Sequence, residues 1–479
     1  MFMRNLSMLT DLYELTMMSG YLNENMDNRT AVFDMFFRSR EGSQSYAIMA
    51  GVDQFMQYID ELHFDKEDLD YLASLNLFDD NFLKKLENFK FTGDIDAVAE
   101  GTIVFPKVPL VKVKAPLFEV QLIETALLNL IGHPMLIATK AHRICRQAKG
   151  DNVMEFGLRR AQGPDAGTWG ARAAVIAGCA STSNVLCGQL FNIPVSGTHA
   201  HSWVMSFPDE LSAFRAYANS FPENCLLLVD TYDTLHSGVP NAIKVFKELR
   251  EKGFEPKGIR LDSGDLAYLS IEARKMLDDA GFPDAVICAS NDLDEFLIRD
   301  LKTQGAKISL WGVGTKLITA DQISSLGGVY KMSAMEDENG VLQPKMKISD
   351  NPEKITLPGE KKTYRLFGKD GMAVADYIML QDEEINTNEP LTIFDPKETW
   401  KKTTLEAGEY SAEPLLTPLY RNGKKVYKTP TLEHIKEHRQ KSESRFWPEY
   451  FRLSNPQKYK VDISQALWNL QAEFLKKRL

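Results

Sequence analysis

The chain has no apolar run approaching the ~20 residues that a membrane-spanning helix needs. Its longest candidate, AAVIAGCA at 173–180, reads as buried core. It is poor in cysteine, with five in 479 residues (145, 179, 187, 225 and 288) and neither a CxxC pair nor a zinc spacing among them. That excludes a disulfide framework and a cysteine-held zinc, and fits reduced thiols. There is no Walker A sequence, so no P-loop cradles a nucleotide. Positive charge is short as well: the formal net charge of −10 argues against general nucleic-acid binding. The N-terminal stretch MFMRNLSMLTDLYELT carries Asp11 and Glu14 and lacks an apolar signal core, so the expected location is cytoplasmic. Histidine is scarce too, at eight residues.

What remains is an ordinary globular composition, 44% hydrophobic and 25% charged, long enough for two or three domains. TDLYELTMMSGYL predicts an early helix, with Asp11 and Glu14 spaced as a capping box and Leu12, Leu15 and Leu22 on one face. Residues 1–116 mix short strands (AVFDMFFR, GTIVFPKVPLVKVKAP) with acidic helices and predict an α+β domain. Over 117–334 the texture changes. CLLLVD (225–230), GIRLDSGD (258–265), AVICASND (285–292) and KISLWGVGT (307–315) are buried strands that run into polar or glycine residues, with helix-length segments between them. That pattern predicts an irregular parallel α/β barrel, TIM-like, with its site at the strand C-terminal ends; a doubly wound sheet has similar spacing. Hairpin chemistry returns in TYRLFGKDGMAVADYIML and PLYRNGKKVYKT. Strands from 335–400 are expected to join the first domain, leaving 400–479 as a hairpin and helical segment.

At the strand ends, Asp230, Arg260, Asp262, Asp265, Asn291, Asp292, Gly312, Gly314 and Thr315 would converge. WGVGT offers glycine N–H groups to a phosphate, and RLDSGD pairs a cation with carboxylates suited to ribose hydroxyls or hydrated Mg²⁺. Each has a plainer reading, as a turn and as a helix N-cap. Lys140, His142, Arg143, Arg146, Lys149, Arg159, Arg160 and Arg172 crowd into 140–172, either as a solvated helix face or as a site for an anion. GTHAHSW (197–203) places His199 and His201 one residue apart. A metal hydrolase would need more histidines at later strand ends, and only His236 follows within the barrel.

TDLYELTM, EFGLRRAQGPDAG, TSNVLCG, GTHAHSW, LLLVDTYDT, IRLDSGDL, SNDLDE, WGVGTKL and SLGGVYKM, in this order over most of 9–332, resemble nicotinate phosphoribosyltransferase. The resemblance implies a type II phosphoribosyltransferase. Nicotinate and 5-phosphoribosyl 1-diphosphate would give nicotinate mononucleotide and diphosphate, coupled to hydrolysis of ATP, with Mg²⁺. It implies that His201 of GTxAH is the phosphorylated residue, with Asp230 as the ring's acceptor, while His199 falls at the motif's variable position. It implies nicotinate contacts from Tyr13, Phe156, Arg159, Ser183, Thr198 and Arg260. Asn291, Asp292, Gly312, Gly314 and Thr315 would hold phosphoribosyl diphosphate, and Asp262 ribose or Mg²⁺. Tyr13 would come from the other subunit of a homodimer. Two alternatives stay open: a nicotinamide-using sister enzyme, and a catalytically dead ligand-binding barrel. Ser183 stands where the nicotinamide enzyme has an aspartate, which would repel the nicotinate carboxylate.

Overall fold

Thr30–Phe37 is apolar on both faces, and all but its first and seventh residues are buried. Such a strand belongs inside a sheet, and the computed structural model, which describes residues 5–38 and 45–476, places it centrally in one. Seven strands run in the order Leu342–Pro344, Gly328–Glu336, Thr30–Phe37, Val111–Pro116, Asp94–Val98, Leu416–Arg421 and Lys424–Lys425. All six pairings are antiparallel. Asp34, buried within this sheet, is neutralised by Lys361 Nζ at 2.8 Å. A second sheet holds Tyr410–Pro414, Lys361–Gly368, Ala373–Leu380 and Lys460–Ile463. Leu467 of the final helix Gln465–Lys476 packs on Ile378 and Ile463. The hairpin turn of PLYRNGKK forms as its sequence requires, with Asn422 and Gly423 both left-handed (φ 48° and 72°).

The chain divides into two compact units, residues 1–136 with 325–479, and residues 137–324. The division falls inside helix Glu124–Ala148, not at the expected 116/117 boundary. The last strand of the expected barrel segment, Gly328–Glu336, pairs with Thr30–Phe37 and belongs to the first unit. The hairpin segment beyond 400 also joins that unit, because Leu416–Arg421 pairs with Asp94–Val98. The early helix spans Leu12–Asn23 without the capping box. Asp11 Oδ2 and Glu14 Oε1 instead accept from the Thr125 hydroxyl, each at 2.7 Å. Its buried face is Glu14, Leu15 and Met18, with Leu12 exposed.

The second unit has six parallel strands: β1 (Asn152–Glu155), β2 (Ser181–Thr182), β3 (Leu226–Leu228), β4 (Gly258–Leu261), β5 (Val286–Ala289) and β6 (Leu310–Val313). Helices occupy every connection between these strands, among them Pro164–Ala177, Val239–Glu251, Leu266–Asp279 and Glu295–Thr303. Leu226, Leu227 and Leu228 are all buried, as a strand covered on both faces must be. The neighbour order is β2-β1-β6-β5-β4-β3. This is chain order taken around a circle, with the first strand beside the last and one seam between β2 and β3. Among the described residues no strand pairing crosses that seam. The β2–β3 connection is the longest and contains GTHAHSW.

Candidate active site

Parallel strands deliver their next residues to one end of the sheet. Beyond β3, β4 and β5 these are Asp230 and Thr231, Asp262 and Ser263, and Ser290. Arg260, the third residue of β4, ties them together. Its Nε donates to Ser290 Oγ (2.9 Å), its Nη2 to Asp262 Oδ1 (3.0 Å) and its Nη1 to Thr198 Oγ1 (2.8 Å). Ser290 also donates to Asp262 Oδ1. Burial, the largest single influence on the Asp262 carboxyl, would raise its pKa. The Ser290 hydroxyl, Arg260 and the facing His201 outweigh it, and the pKa lies below the usual carboxylate value.

His201 begins the short helix His201–Met205 and stays substantially exposed, at 41% of its side chain. Its Nδ1 meets Thr231 Oγ1 at 3.1 Å, and its Nε2 faces Asp262 Oδ2 at 3.7 Å. The expected acceptor, Asp230, serves elsewhere: its Oδ2 accepts from Asp262 N–H (3.0 Å) and Ser263 Oγ (2.5 Å). Asp230 is the second residue past β3 and reaches sideways into the turn after β4, while the next residue, Thr231, reaches the ring. Asp230 Oδ1 is buried without a hydrogen-bond partner among the described residues. Asp265 is the N-cap of Leu266–Asp279, accepting from Tyr268 N–H.

Phe156, one residue past β1, donates its N–H to Val313 O (2.8 Å). Its ring lies on Gly312, where a Cβ would come within 2.8 Å of two ring carbons. A Cβ on Gly314 would come within 3.1 Å of Phe156 O. Both glycines of WGVGT therefore have a packing reason independent of any phosphate. Glu155, fully buried, accepts from Thr182 Oγ1 (2.6 Å) and from Gly157 N–H, and its own carbonyl accepts from Ser183 N–H (2.9 Å). Burial raises its pKa against the effect of those donors. The β1 and β2 ends, with Phe156 and half-buried Ser183, are thus joined through one acid. Arg159 is exposed on the single turn Leu158–Arg160. Asn291 and Asp292, just past β5, are exposed and adopt φ of 91° and 42°. Two such non-glycine residues in succession are a local cost of the kind found at functional sites. Thr315 is exposed at the start of Thr315–Ile318. Tyr13 lies in the first unit, about half-exposed, beside Met17, Tyr21 and Glu124.

The basic run 140–172 is in part internal. Lys140 and Arg143 share buried Glu295, at 2.7 and 3.0 Å, and buried Arg172 sits against the Trp169 and Phe191 rings. Those three cations hold the fold, which corrects their reading as a solvated face or an anion site. Among the described residues no group of three or more His, Cys, Asp or Glu is placed to hold a metal. Thr231, Ser263, Ser290, Glu155 and Thr182 are site residues that the sequence motifs did not single out. Their only signal is position, at or next to a strand's C-terminal end.

The chain's similarity to known proteins spans nearly all of it. The patterns of the nicotinate phosphoribosyltransferase (NAPRTase) N-terminal domain, family and C-terminal domain match residues 8–132, 152–370 and 360–471. The last match lies where the sequence motifs carried little signal. Nicotinate phosphoribosyltransferase of Bacillus subtilis (strain 168) is 46% identical over 467 residues, covering 97% of this chain and 94% of that protein. The Homo sapiens enzyme is 34% identical, with 96% and 95% covered. The crystal structure of human nicotinic acid phosphoribosyltransferase superposes with a TM-score of 0.85 at 32% identity, covering 97% and 99% of the two chains. Nicotinate-nucleotide pyrophosphorylase from Pyrococcus furiosus, 21% identical with a TM-score of 0.70 and 92% and 96% covered, is alike in fold. With coverage and identity of this order over all three domains, the chain belongs to the nicotinate phosphoribosyltransferase family.

Proposed function

We propose that this chain transfers the phosphoribosyl group of 5-phosphoribosyl 1-diphosphate to nicotinate, giving nicotinate mononucleotide and diphosphate, with ATP hydrolysed through a phosphohistidine at His201. The observation that carries the reading is the exposed imidazole of His201, held on one side by Thr231 and facing Asp262 on the other, in a chain of this family. Thr231 accepting from Nδ1–H leaves the lone pair on Nε2. Nε2 then attacks the γ-phosphorus of ATP, an N–P bond forms as the bridging P–O bond breaks, and ADP leaves. Asp262, ionised at neutral pH, stabilises the imidazolium that develops.

For transfer, cleavage of the C1–diphosphate bond builds positive charge on the ribose, and negative charge grows on diphosphate. Arg260 and Thr198 would orient nicotinate, with Ser183 donating to its carboxylate and Phe156 beneath the ring. Exposed Arg159, Asn291 and Thr315, with the Gly314 backbone, would meet phosphates, and the Asp292 carboxylate would accept from ribose hydroxyls of the same substrate. Mg²⁺ fits as a partner of substrate: among the described residues Asp230 Oδ1 is an orphaned acceptor and Asp262 Oδ2 accepts no hydrogen bond, so these two carboxylates would hold the ion together with substrate oxygens and water. Bound there, the ion would neutralise the leaving diphosphate. The circular strand order supports a barrel closed at the β2–β3 seam. Five free cysteines support a reducing, cytoplasmic setting. We place Tyr13 over the site of a partner subunit in a homodimer. The deciding experiment is nicotinate-dependent ATPase together with nicotinate mononucleotide formation. ATPase without product, or no response to nicotinate, refutes the assignment, and a preference for nicotinamide selects the sister enzyme.

A further inference from the structure

β3 is the edge strand at the seam. Its residues pair with β4 on one side only (Leu226 with Gly258, Leu228 with Arg260). An edge N–H buried without an acceptor is costly, and Leu228 is fully buried. Its N–H is taken by a side chain: His199 Nε2 accepts it at 3.2 Å. The same chain segment is bound to the other side of the seam by backbone. Thr182 N–H donates to Pro194 O (3.1 Å) and Ser196 N–H to Thr182 O (2.9 Å), with a parallel bridge between Thr182 and Val195. Residues 194–199 therefore lie alongside β2 and reach β3 through one imidazole.

We propose that His199 is a positioning residue for the reaction: by accepting the Leu228 N–H it locks the β2–β3 seam and so fixes Thr198 and His201, on either side of it in the chain, at their places in the site. This rests on the reading of His201 as the phosphoacceptor. The ring is suited to the task. It is 7% exposed, with Tyr217 edge-on at 4.7 Å and Phe214 at 6.2 Å, both from helix Glu210–Ser220. Nδ1 faces Ala200 O at 3.4 Å, so its proton belongs on Nδ1 and the lone pair on Nε2. Burial, with Arg260 and His201 nearby, lowers its pKa to about 4 and keeps the acceptor intact at neutral pH. The consequence runs along the backbone. Arg260 Nη1 donates to Thr198 Oγ1 and lies 3.5 Å from His199 O, and two residues on, the His201 ring meets Thr231, which itself follows β3. A loosened seam separates His201 from Thr231 and Asp262 together.

The test compares His199→Leu, which keeps bulk and removes the acceptor, with His199→Gln, whose Oε1 can accept the same N–H. With γ-labelled ATP and Mg²⁺, the labelling rate of folded His199→Leu should fall about tenfold or more, as for a lost orienting bond beside an unpaired amide. His199→Gln should stay within about threefold of wild type, and KM for ATP should hardly move. Equal labelling by His199→Leu and wild type, or His199→Gln no better than His199→Leu, overturns the proposal. If His199→Leu does not fold, ¹⁵N spectra of the wild-type imidazoles decide. His199 should be neutral and protonated on Nδ1 from pH 6 to 8 by the pKa above, and an imidazolium or the Nε2–H form at pH 7 overturns it. A wild-type chain that takes no label sinks the phosphohistidine reading and the His201 half of this one. The Thr198 half then stands or falls on whether KM for nicotinate rises in His199→Leu and recovers in His199→Gln.

Discussion

Gly312→Ala separates two roles for the glycines of WGVGT: approach of backbone to a phosphate, and room for an aromatic ring. The added Cβ would lie 2.8 Å from Cδ2 and Cε2 of Phe156 and 3.5 Å from Ser290 Cβ. Carbon atoms in good contact are ~3.5–4.0 Å apart, so the ring must withdraw by about 1 Å. Phe156 N–H is held by Val313 O, so the side chain rather than the backbone gives way. The ring is only half-buried and has somewhere to go, which puts the cost toward the low end of the ~1–3 kcal/mol typical of overpacking. If the ring packs on the pyridine of nicotinate, its displacement forfeits about 0.5–1.5 kcal/mol, a factor of about 2–12 in affinity. Calorimetric titration of nicotinate into wild type, Gly312→Ala, Phe156→Ala and the double variant forms a thermodynamic cycle. Gly312→Ala should weaken nicotinate binding in the wild-type background and add little in Phe156→Ala, with KM for phosphoribosyl diphosphate nearly constant. A loss of phosphoribosyl diphosphate binding that persists without the Phe156 ring would refute this reasoning and make Gly312 a phosphate contact.

Four further outcomes are expected. Incubation with γ-labelled ATP should yield an acid-labile, base-stable phosphoenzyme, and His201→Ala should abolish the label while leaving some phosphoribosyl transfer; label persisting in His201→Ala moves the phosphoacceptor elsewhere. Ser183→Asp should lower kcat/KM for nicotinate relative to nicotinamide by roughly ten- to a hundredfold, the worth of one charge-assisted contact; an unchanged ratio means Ser183 does not face the carboxylate. Tyr13→Ala and Asp262→Ala chains, each inactive, should regain activity when mixed under subunit exchange, up to about half of one wild-type dimer per heterodimer by two-fold site counting; confirmed heterodimers without activity place Tyr13 outside a shared site. Burial, offset in part by Lys460, raises the Asp462 carboxyl to about 6, above its unfolded ~3.9, so ionisation opposes folding as pH rises between those values. Asp462→Asn should therefore gain stability over wild type from pH 4 to 7 in denaturant titrations, and a gain that shrinks with pH reverses the assignment.

Local sequence determined much of this protein. Runs such as LLL and VICA, covered on both faces, can only be interior strands. Gly253 stops its helix, and Asn422-Gly423 turns its hairpin, because those steps depend on neighbours along the chain. The positions of Asp230, Arg260, Asp262 and Asn291 at or near strand ends followed from the same buried runs, each of which gives way to polar residues. Partnership is what required the tertiary structure. Whether Asp230 or Thr231 meets His201 depends on the angle at which β3 releases its chain. Whether Lys140 and Arg143 are ligands or struts depends on Glu295, more than 150 residues away. The strand Gly328–Glu336 has no local mark that sends it to Thr30–Phe37 rather than to the parallel sheet. His199 shows the division within one tripeptide. Sequence distinguishes it from His201 only by a motif position, while the choice between them is made by an edge-strand N–H that only the folded sheet leaves without a backbone partner.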